Sequence, residues 1–495
     1  MNILGIGGVP RDSAAALIKD GKIAAAIEEH KLTRKAEPGK LPEASIAACL
    51  KIAGISREDV DFVALARPLP PGPEVPTALR TFPKARVVSI DHHAAHAASA
   101  WLASPYRDAV VITLDRAGDL RCGARWRAQD DRLTLEQEIL YPNSIGELYG
   151  RVTELLGFRP RSDEHLVQWL SAAGEPTYLS EFEAAIKGNF GAEFLDQFGE
   201  KEVHANLAAS VQRALENYVM ELAGDAENVC LAGGIAWNAM LVAALECSGR
   251  YKGVFAQPAA GNAGTALGAA LHVYHDAVDP AARLDGGGYA LGPAFAAEEI
   301  KQVLENCKLR FKLQGTTPEL IGAAVRQLSG NRILAWMQGR MEFGPRALGH
   351  RSILASPRDR YAAENLNTFI KHREGFRKFA ASVPSETAAE YFDVGPNARH
   401  LATVGRVKPA HKEKFEGALL DGESLIRVHT VEKDDNPLYW RLLHAFGKET
   451  GLPVLYNTSF NLFGEPLVCT PRDAVRSFYS SGIDAMLAGN FLLEK

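Results

Sequence analysis

His92 and His96 stand four residues apart in the segment Ser89-Ile90-Asp91-His92-His93-Ala94-Ala95-His96. A β-branched run, Val87-Val88 then Ile90, gives way there to Ala-rich sequence, which predicts a strand feeding a helix with Ser89 or Asp91 as N-cap. Residues i and i+4 of a helix share a face, so both imidazoles project the same way. Two imidazoles so placed can hold one metal ion, and a carboxylate from another strand can complete the site. Asp115 is the candidate, because it ends the apolar run Ala109-Val110-Val111-Ile112-Thr113-Leu114. The plainer reading makes the histidines polar residues on a helix face. The alanines around them favour the metal reading, since small neighbours let a ligand or another backbone reach the rings.

A second set of residues fits anions. Gln338 to Ser352 places Arg340, Arg346 and Arg351 among glycines and Pro345, a context that fixes backbone geometry and suits an oxyanion. Ile370 to Phe379 adds Lys371, Arg373 and Arg377 beside aromatics, a spacing that also fits the end of an amphipathic helix. The strand ending at Tyr456-Asn457-Thr458-Ser459-Phe460-Asn461 finishes in side-chain hydrogen-bonders that could meet phosphate and ribose or merely cap the strand. Gly233-Gly234 follows the buried strand Asn228 to Ala232. Paired glycines there allow backbone N–H groups to reach a cofactor phosphate, although glycine after a strand is common. Residues 258–268 repeat the loop-then-helix scheme.

These residues need a large α/β scaffold. At 495 residues the chain exceeds one compact core, and 46% hydrophobic with 23% charged residues matches a globular protein. A net charge of −5, 55 basic against 60 acidic residues, gives no reason to expect nucleic acid. No apolar run approaches membrane-spanning length, and Met1 to Ile6 reads as a first strand. Six cysteines lie far apart without a CxxC pair, so neither a zinc ribbon nor a disulfide framework is expected, and cytoplasmic location is the default. Asp20-Gly21 between apolar runs predicts a hairpin, and residues 109–140 repeat the opening scheme with a turn at Ala117-Gly118-Asp119. Two such openings about a hundred residues apart point to a duplicated α/β unit, as in actin-like folds, with helices from Gly146 to Ala223. Asp285-Gly286-Gly287-Gly288 reads as a linker, giving domains 1–285 and 286–495. Beyond it come helices over Ala297 to Asn306 and Pro318 to Leu328, then strands at Ile333 to Met337 and Ile426 to Val431.

DHHAAHAASA (91–100), YPNSIGELYGRVTELLGF (141–158), LAGGIAWNAML (231–241), GNAGTALGAAL (261–271), GRMEFGPRALGHRSILASPR (339–358) and LYNTSFNLFGEPLVCTP (455–471) together resemble the O-carbamoyltransferases of nodulation-factor and antibiotic biosynthesis. The resemblance implies an actin-like N-terminal domain similar to threonylcarbamoyl-transferases and a C-terminal α/β domain similar to threonylcarbamoyl-adenylate synthases. It implies that carbamoyl phosphate and ATP give carbamoyl-adenylate, from which a small-molecule hydroxyl takes the carbamoyl group. On that basis Arg346, Lys371 and Asp12 are catalytic. Lys371, Arg377, Arg427, Asn457 and Ser459 hold phosphates. His92, His96, Asp115 and Asn262 hold a divalent metal, iron(II), with Mg²⁺ accompanying ATP. No nucleic acid or membrane partner is implied, and the oligomeric state is left open, a homodimer among the possibilities.

The chain departs from the family pattern at several places. Arg11-Asp12 stands for a His-Asp pair, and Asn262 for an Asp at the metal site, which removes a charge. Asp115-Arg116-Ala117-Gly118-Asp119 stands for Asp-Gly-x-Gly-Glu. Leu166 replaces a lysine, and Lys378 and Ala381 alter an Arg-Pro-Phe-Ala-Pro-Ser run. Most of these changes fall in the transfer-side half. Three readings follow: an active transferase with an altered metal or acceptor site, a paralogue that binds or regulates without transfer chemistry, and an ATP-using enzyme with another acyl donor.

Overall fold

Asp20 and Gly21 both adopt positive φ (49° and 73°), the backbone of a tight two-residue hairpin turn, and they join β2 (Ala14–Lys19) to β3 (Lys22–Glu28). These strands flank β1 (Asn2–Gly7), while β4 (Phe62–Ala66) and β5 (Arg86–Ile90) extend the sheet on its other side in the order β3-β2-β1-β4-β5. β1 pairs antiparallel with β2 and parallel with β4. A second sheet repeats the plan. β6 (Ala109–Gly118) is central, β7 (Arg121–Gln129) and β8 (Arg132–Leu140) are antiparallel beside it, and β9 (Asn228–Ala232) and β10 (Gly253–Ala256) run parallel on the far side. Two five-stranded sheets with one strand order constitute the duplicated α/β unit of actin-like folds. The turn between β6 and β7 lies at Asp119-Leu120, both at positive φ (56° and 69°), not at Ala117-Gly118-Asp119, because β6 stays paired through Gly118.

The computed structural model describes residues 1–35, 39–70, 74–188, 191, 193–198 and 204–495. They form two compact units, Met1–Glu29 with Ala36–Gly286, and His30–Lys35 with Gly287–Lys495. A single cut after residue 285 therefore misses one excursion, the six residues His30–Lys35, which pack with the second unit.

The second unit is built on a ten-stranded sheet. Its strands are β11 (Lys312–Leu313), β12 (Leu334–Met337), β13 (Arg351–Ala355), β14 (Ala380–Pro384), β15 (Phe392–Asp393), β16 (Val404–Val407), β17 (Leu425–Val431), β18 (Leu455–Ser459), β19 (Ala485–Ala488) and β20 (Phe491–Glu494). Along β12, Leu334 and Trp336 join one hydrophobic cluster and Ala335 and Met337 the other. Both faces of the strand are covered, which is why it reads as an unbroken apolar run. The helices Ala297–Asn306 and Thr317–Ser329 lie close to their predicted spans. Among the described residues no helix is long and apolar enough to cross a membrane, and all six cysteines are free thiols.

Candidate functional site

The helix His92–Trp101 starts on Asp91, whose carboxylate accepts from His93 N–H (3.0 Å) and Ala94 N–H (3.1 Å). Asp91, not Ser89, is the cap. Arg67 and Arg121 hold its other oxygen at 3.1 and 2.7 Å. Burial pushes the Asp91 carboxyl up, but these hydrogen bonds and charges outweigh it and leave its pKa lowered. The alanines of this helix serve close packing against the helix Gly264–Ala277, where a Cβ on Gly268 would lie 1.8 Å from Ala95 O.

His92, His96 and Asp115 are all buried, and they bring one ligand atom each to within 4.8 Å of the others. Both Nε2 atoms lie 2.9 Å from Asp115 Oδ2. His92 Nδ1 sits 3.1 Å from the Arg67 carbonyl, so that nitrogen carries a proton. In a neutral ring the Nε2 lone pair then faces a carboxylate oxygen, and a cation must lie between them: either a second proton or a metal. Neither ring nitrogen of His96 has a hydrogen-bond partner, despite the 2.9 Å approach to Asp115. Two buried imidazoles, one of them oriented by a backbone carbonyl, around a shared carboxylate are a donor set that could hold a divalent metal.

The titration of the three groups follows from this crowding. Burial disfavours the His92 cation, yet the Asp115 hydrogen bond and charge outweigh it and raise its pKa. Burial dominates at His96 and lowers it. Burial opposes ionisation of Asp115, but the two imidazoles hold its carboxyl well below the usual range. Gly118 makes room for the cluster, since a Cβ there would lie 2.2 Å from His92 Cδ2. Gly234 N–H donates to Asp115 Oδ1 (2.5 Å), so the anion at the paired glycines is this carboxylate. Gly233 adopts φ +87°, and a short 3₁₀ turn, Gly234–Trp237, precedes the helix Ala239–Cys247. Among the described residues no hydrogen bond joins the side chain of Asp12 or Asn262 to the triad. Arg11 donates to Arg161 O (3.3 Å), and Leu166 and Trp169 are buried.

In the second unit five of the predicted cations, Arg346, Lys371, Arg373, Arg377 and Arg427, feel one another's charge. Arg340 and Arg351 instead donate to backbone carbonyls, Gly292 O (3.0 Å) and Gln338 O (2.9 Å), and serve the fold of their loop. Leu366–Lys371 is a π-helical segment ended by His372 at φ 46°, a local rewinding common where a side chain must be re-aimed. Lys371 Nζ donates to Ser459 O (2.5 Å), Asn461 O (2.9 Å) and Asn461 Oδ1 (2.8 Å). Arg427 and Asn457 both pair with Ala380, on its two sides, and cross-strand partners share a face. Asn457 Nδ2 donates to Ala347 O (3.0 Å), beside Arg346, while its Oδ1 is buried without a partner. Burial and the charges of Arg346, Arg373 and Arg377 push Arg427 well below its ordinary pKa. Burial lowers Arg346 to about 10, and burial with Arg377 lowers Arg373 to about 9. Burial, then Arg373 and Arg377, depress Lys371 strongly. Cations gathered at such cost suit an anionic ligand. Arg373, held by Asn367 Oδ1 (2.8 Å) over the Phe379 ring (4.7 Å), lies among them, although the family resemblance gave roles only to Lys371 and Arg377 beside it.

The family model described as carbamoyltransferase N-terminus matches residues 2–68, 75–189 and 178–271, and that described as carbamoyltransferase C-terminus matches residues 325–495. The chain belongs to the carbamoyltransferase family. The N-terminal match includes the His/Asp triad, and the C-terminal match includes all five cations. An uncharacterized protein of Synechocystis is 33% identical over 100% of this chain and 97% of its own length. Nodulation protein NolNO of Sinorhizobium fredii is 31% identical over 98% and 79%. A 3'-hydroxymethylcephem-O-carbamoyltransferase of Amycolatopsis lactamdurans is 28% identical over 62% and 57%. Among solved structures, a ROK hexokinase from Thermus thermophilus (17% identity, TM-score 0.32, 56% of this chain and 100% of that one) and HypF of T. kodakarensis (16%, 0.34, 55% and 48%) are similar only distantly. The sheet order, not those scores, carries the fold assignment of this family member.

Proposed function

We propose that this family member is an ATP-dependent O-carbamoyltransferase that forms carbamoyl-adenylate and passes its carbamoyl group to a hydroxyl of a small molecule. The observation that carries the reading is the clustering of Arg346, Lys371, Arg373, Arg377 and Arg427, where burial first and mutual charge after it lower the pKa values of Lys371, Arg373 and Arg427. In the first step water cleaves the O–P bond of carbamoyl phosphate, releasing phosphate and carbamate. A carbamate oxygen then attacks the α-phosphorus of ATP and pyrophosphate leaves. Carbamate is a weak nucleophile, so the step depends on alignment and on cations around the developing charge. The Arg346 and Arg427 forks and the Lys371 ammonium supply both, with Asn457 and Ser459 on the phosphates.

In the second step the acceptor oxygen attacks the carbamoyl carbon, the bond to AMP breaks, and the hydroxyl proton passes to a base, a role the reading gives to Asp12. His92, His96 and Asp115 would hold a divalent ion, which when bound supplies positive charge for the acyl phosphate. Asn262 completes that set in the reading. Incubating the protein with ATP and carbamoyl phosphate tests the first step directly. Carbamoyl-adenylate seen by mass spectrometry is the expected result, and its absence from folded, metal-loaded protein would refute the reading.

A further inference from the structure

Residues 30–35 leave the first unit after β3 and pack with the second. Lys31 is 3% exposed, and its Nζ donates to Glu342 O (3.0 Å) and Gly344 O (2.6 Å), four and two residues before Arg346. Beyond Arg346 the same loop is tied by the Glu342 carboxylate. Its Oε1 accepts from Leu348, His350 and Arg351 N–H at 2.9, 2.9 and 3.0 Å. Residues 338–350 have no regular structure, so side-chain-to-backbone bonds fix the path of the chain there. Three residues after Lys31, Arg34 Nη1 donates to Leu467 O (2.6 Å), and its Nη2 lies 3.7 Å from Glu465 Oε2. Glu465 O accepts from Asn461 Nδ2 (2.7 Å), and Asn461 takes the Lys371 ammonium through two oxygens.

We propose that His30–Lys35 is a positioning strap for the anion site, Lys31 setting the Arg346 loop and Arg34 the loop that holds Lys371. The inference rests on the reading of that site as one for phosphates. Neither side chain needs to touch the ligand. A buried ammonium whose partners include two backbone carbonyls orders main chain, and phosphate binding by a rigid guanidinium is sensitive to displacements of about an ångström.

The test is calorimetric titration of the full-length protein with inorganic pyrophosphate, comparing wild type with Lys31→Met and Lys31→Arg. Lys31→Met is expected to raise Kd by about tenfold or more at unchanged stoichiometry. Lys31→Arg, whose fork can reach both carbonyls, is expected to stay within about threefold of wild type. Carbamoyl-phosphate-dependent exchange of pyrophosphate into ATP is expected to show a raised KM in parallel, with bound metal unchanged. A wild-type Kd in Lys31→Met overturns the proposal. So does a wild-type Kd with fewer sites, which marks a lysine needed only for folding. If Lys31→Met yields no folded protein, Arg34→Met carries the same test through the other loop, with the same two outcomes. Wild-type protein that binds no pyrophosphate instead overturns the adenylating function, and the strap with it, before any variant is made.

Discussion

At the scale of single residues, His96 is the sharpest probe, because both its nitrogens are buried without hydrogen bonds while one lies 2.9 Å from Asp115. His96→Ala is expected to abolish bound divalent metal, measured by elemental analysis, and to stop transfer while sparing exchange of pyrophosphate into ATP. Loss of both half-reactions in folded protein would contradict that division. Lys371→Ala should do the reverse, lowering adenylate formation by about 10²-fold or more with metal retained. Lys371 also sets a pH dependence. Its folded pKa is depressed by burial and by Arg373 and Arg377, so between that value and about 10.4 the unfolded chain binds more protons. Stability of the ligand-free protein therefore rises with pH across the window. A bound polyanion pulls the pKa back up, so pyrophosphate binding is expected to take up protons and weaken as pH rises. Calorimetry in buffers of different ionisation enthalpy reads the sign of that uptake. The histidine pair was legible because four-residue spacing is local, and Asp115 because an acid after an apolar run is conspicuous. The fit of Gly118 against His92 and the role of Lys31 were not, since each depends on a partner distant in sequence, 311 residues away in the case of Lys31 and Glu342.

At the scale of elements, the chain reports its own caps and turns wherever side-chain chemistry decides them. Asp91 caps the histidine helix, and Asp20-Gly21 makes its hairpin. The Asp119-Leu120 turn hides because leucine is a poor left-handed residue. Ala117-Gly118 offers a more ordinary signal, yet cross-strand pairing of Gly118 with Arg121 overrides it. Leu120 is 85% exposed, so replacing it sacrifices little packing. Leu120→Asn is expected to stabilise the protein by about 0.5–1 kcal/mol, read as a higher Tm, because asparagine accepts the left-handed conformation more readily. An unchanged or lower Tm would mean that the leucine side chain contributes in a way its exposure does not reveal. In the second unit the sequence foretold the strand at Ile426 to Val431 but not its register. Only the pairing of Ala380 with both Arg427 and Asn457 puts those two on one face, and register follows from long-range contacts that a local pattern does not encode.

At the scale of the whole molecule, each unit gathers one kind of side chain. Nitrogen and carboxylate donors suited to a divalent ion lie in the duplicated α/β unit, and cations suited to phosphates lie in the ten-stranded unit. The two sites share none of these residues, so removing the metal should separate the half-reactions without any mutation. Protein treated with a divalent chelator and supplied with ATP and carbamoyl phosphate is expected to exchange pyrophosphate into ATP within about twofold of the untreated rate. Release of AMP, which marks completed acyl transfer to an acceptor or to water, should fall by about tenfold or more. Adding iron(II) back should restore it. Mg²⁺ must be kept in excess throughout, because ATP needs it and its loss would stop both steps for an unrelated reason. If exchange and AMP release fall together under those conditions, the metal serves adenylate formation as well, and the allocation of chemistry between the units is wrong. If AMP release persists at full rate, the His92–His96–Asp115 cluster is a structural knot of two imidazoles on a carboxylate, and the proton between His92 and Asp115 supplies all the positive charge it needs.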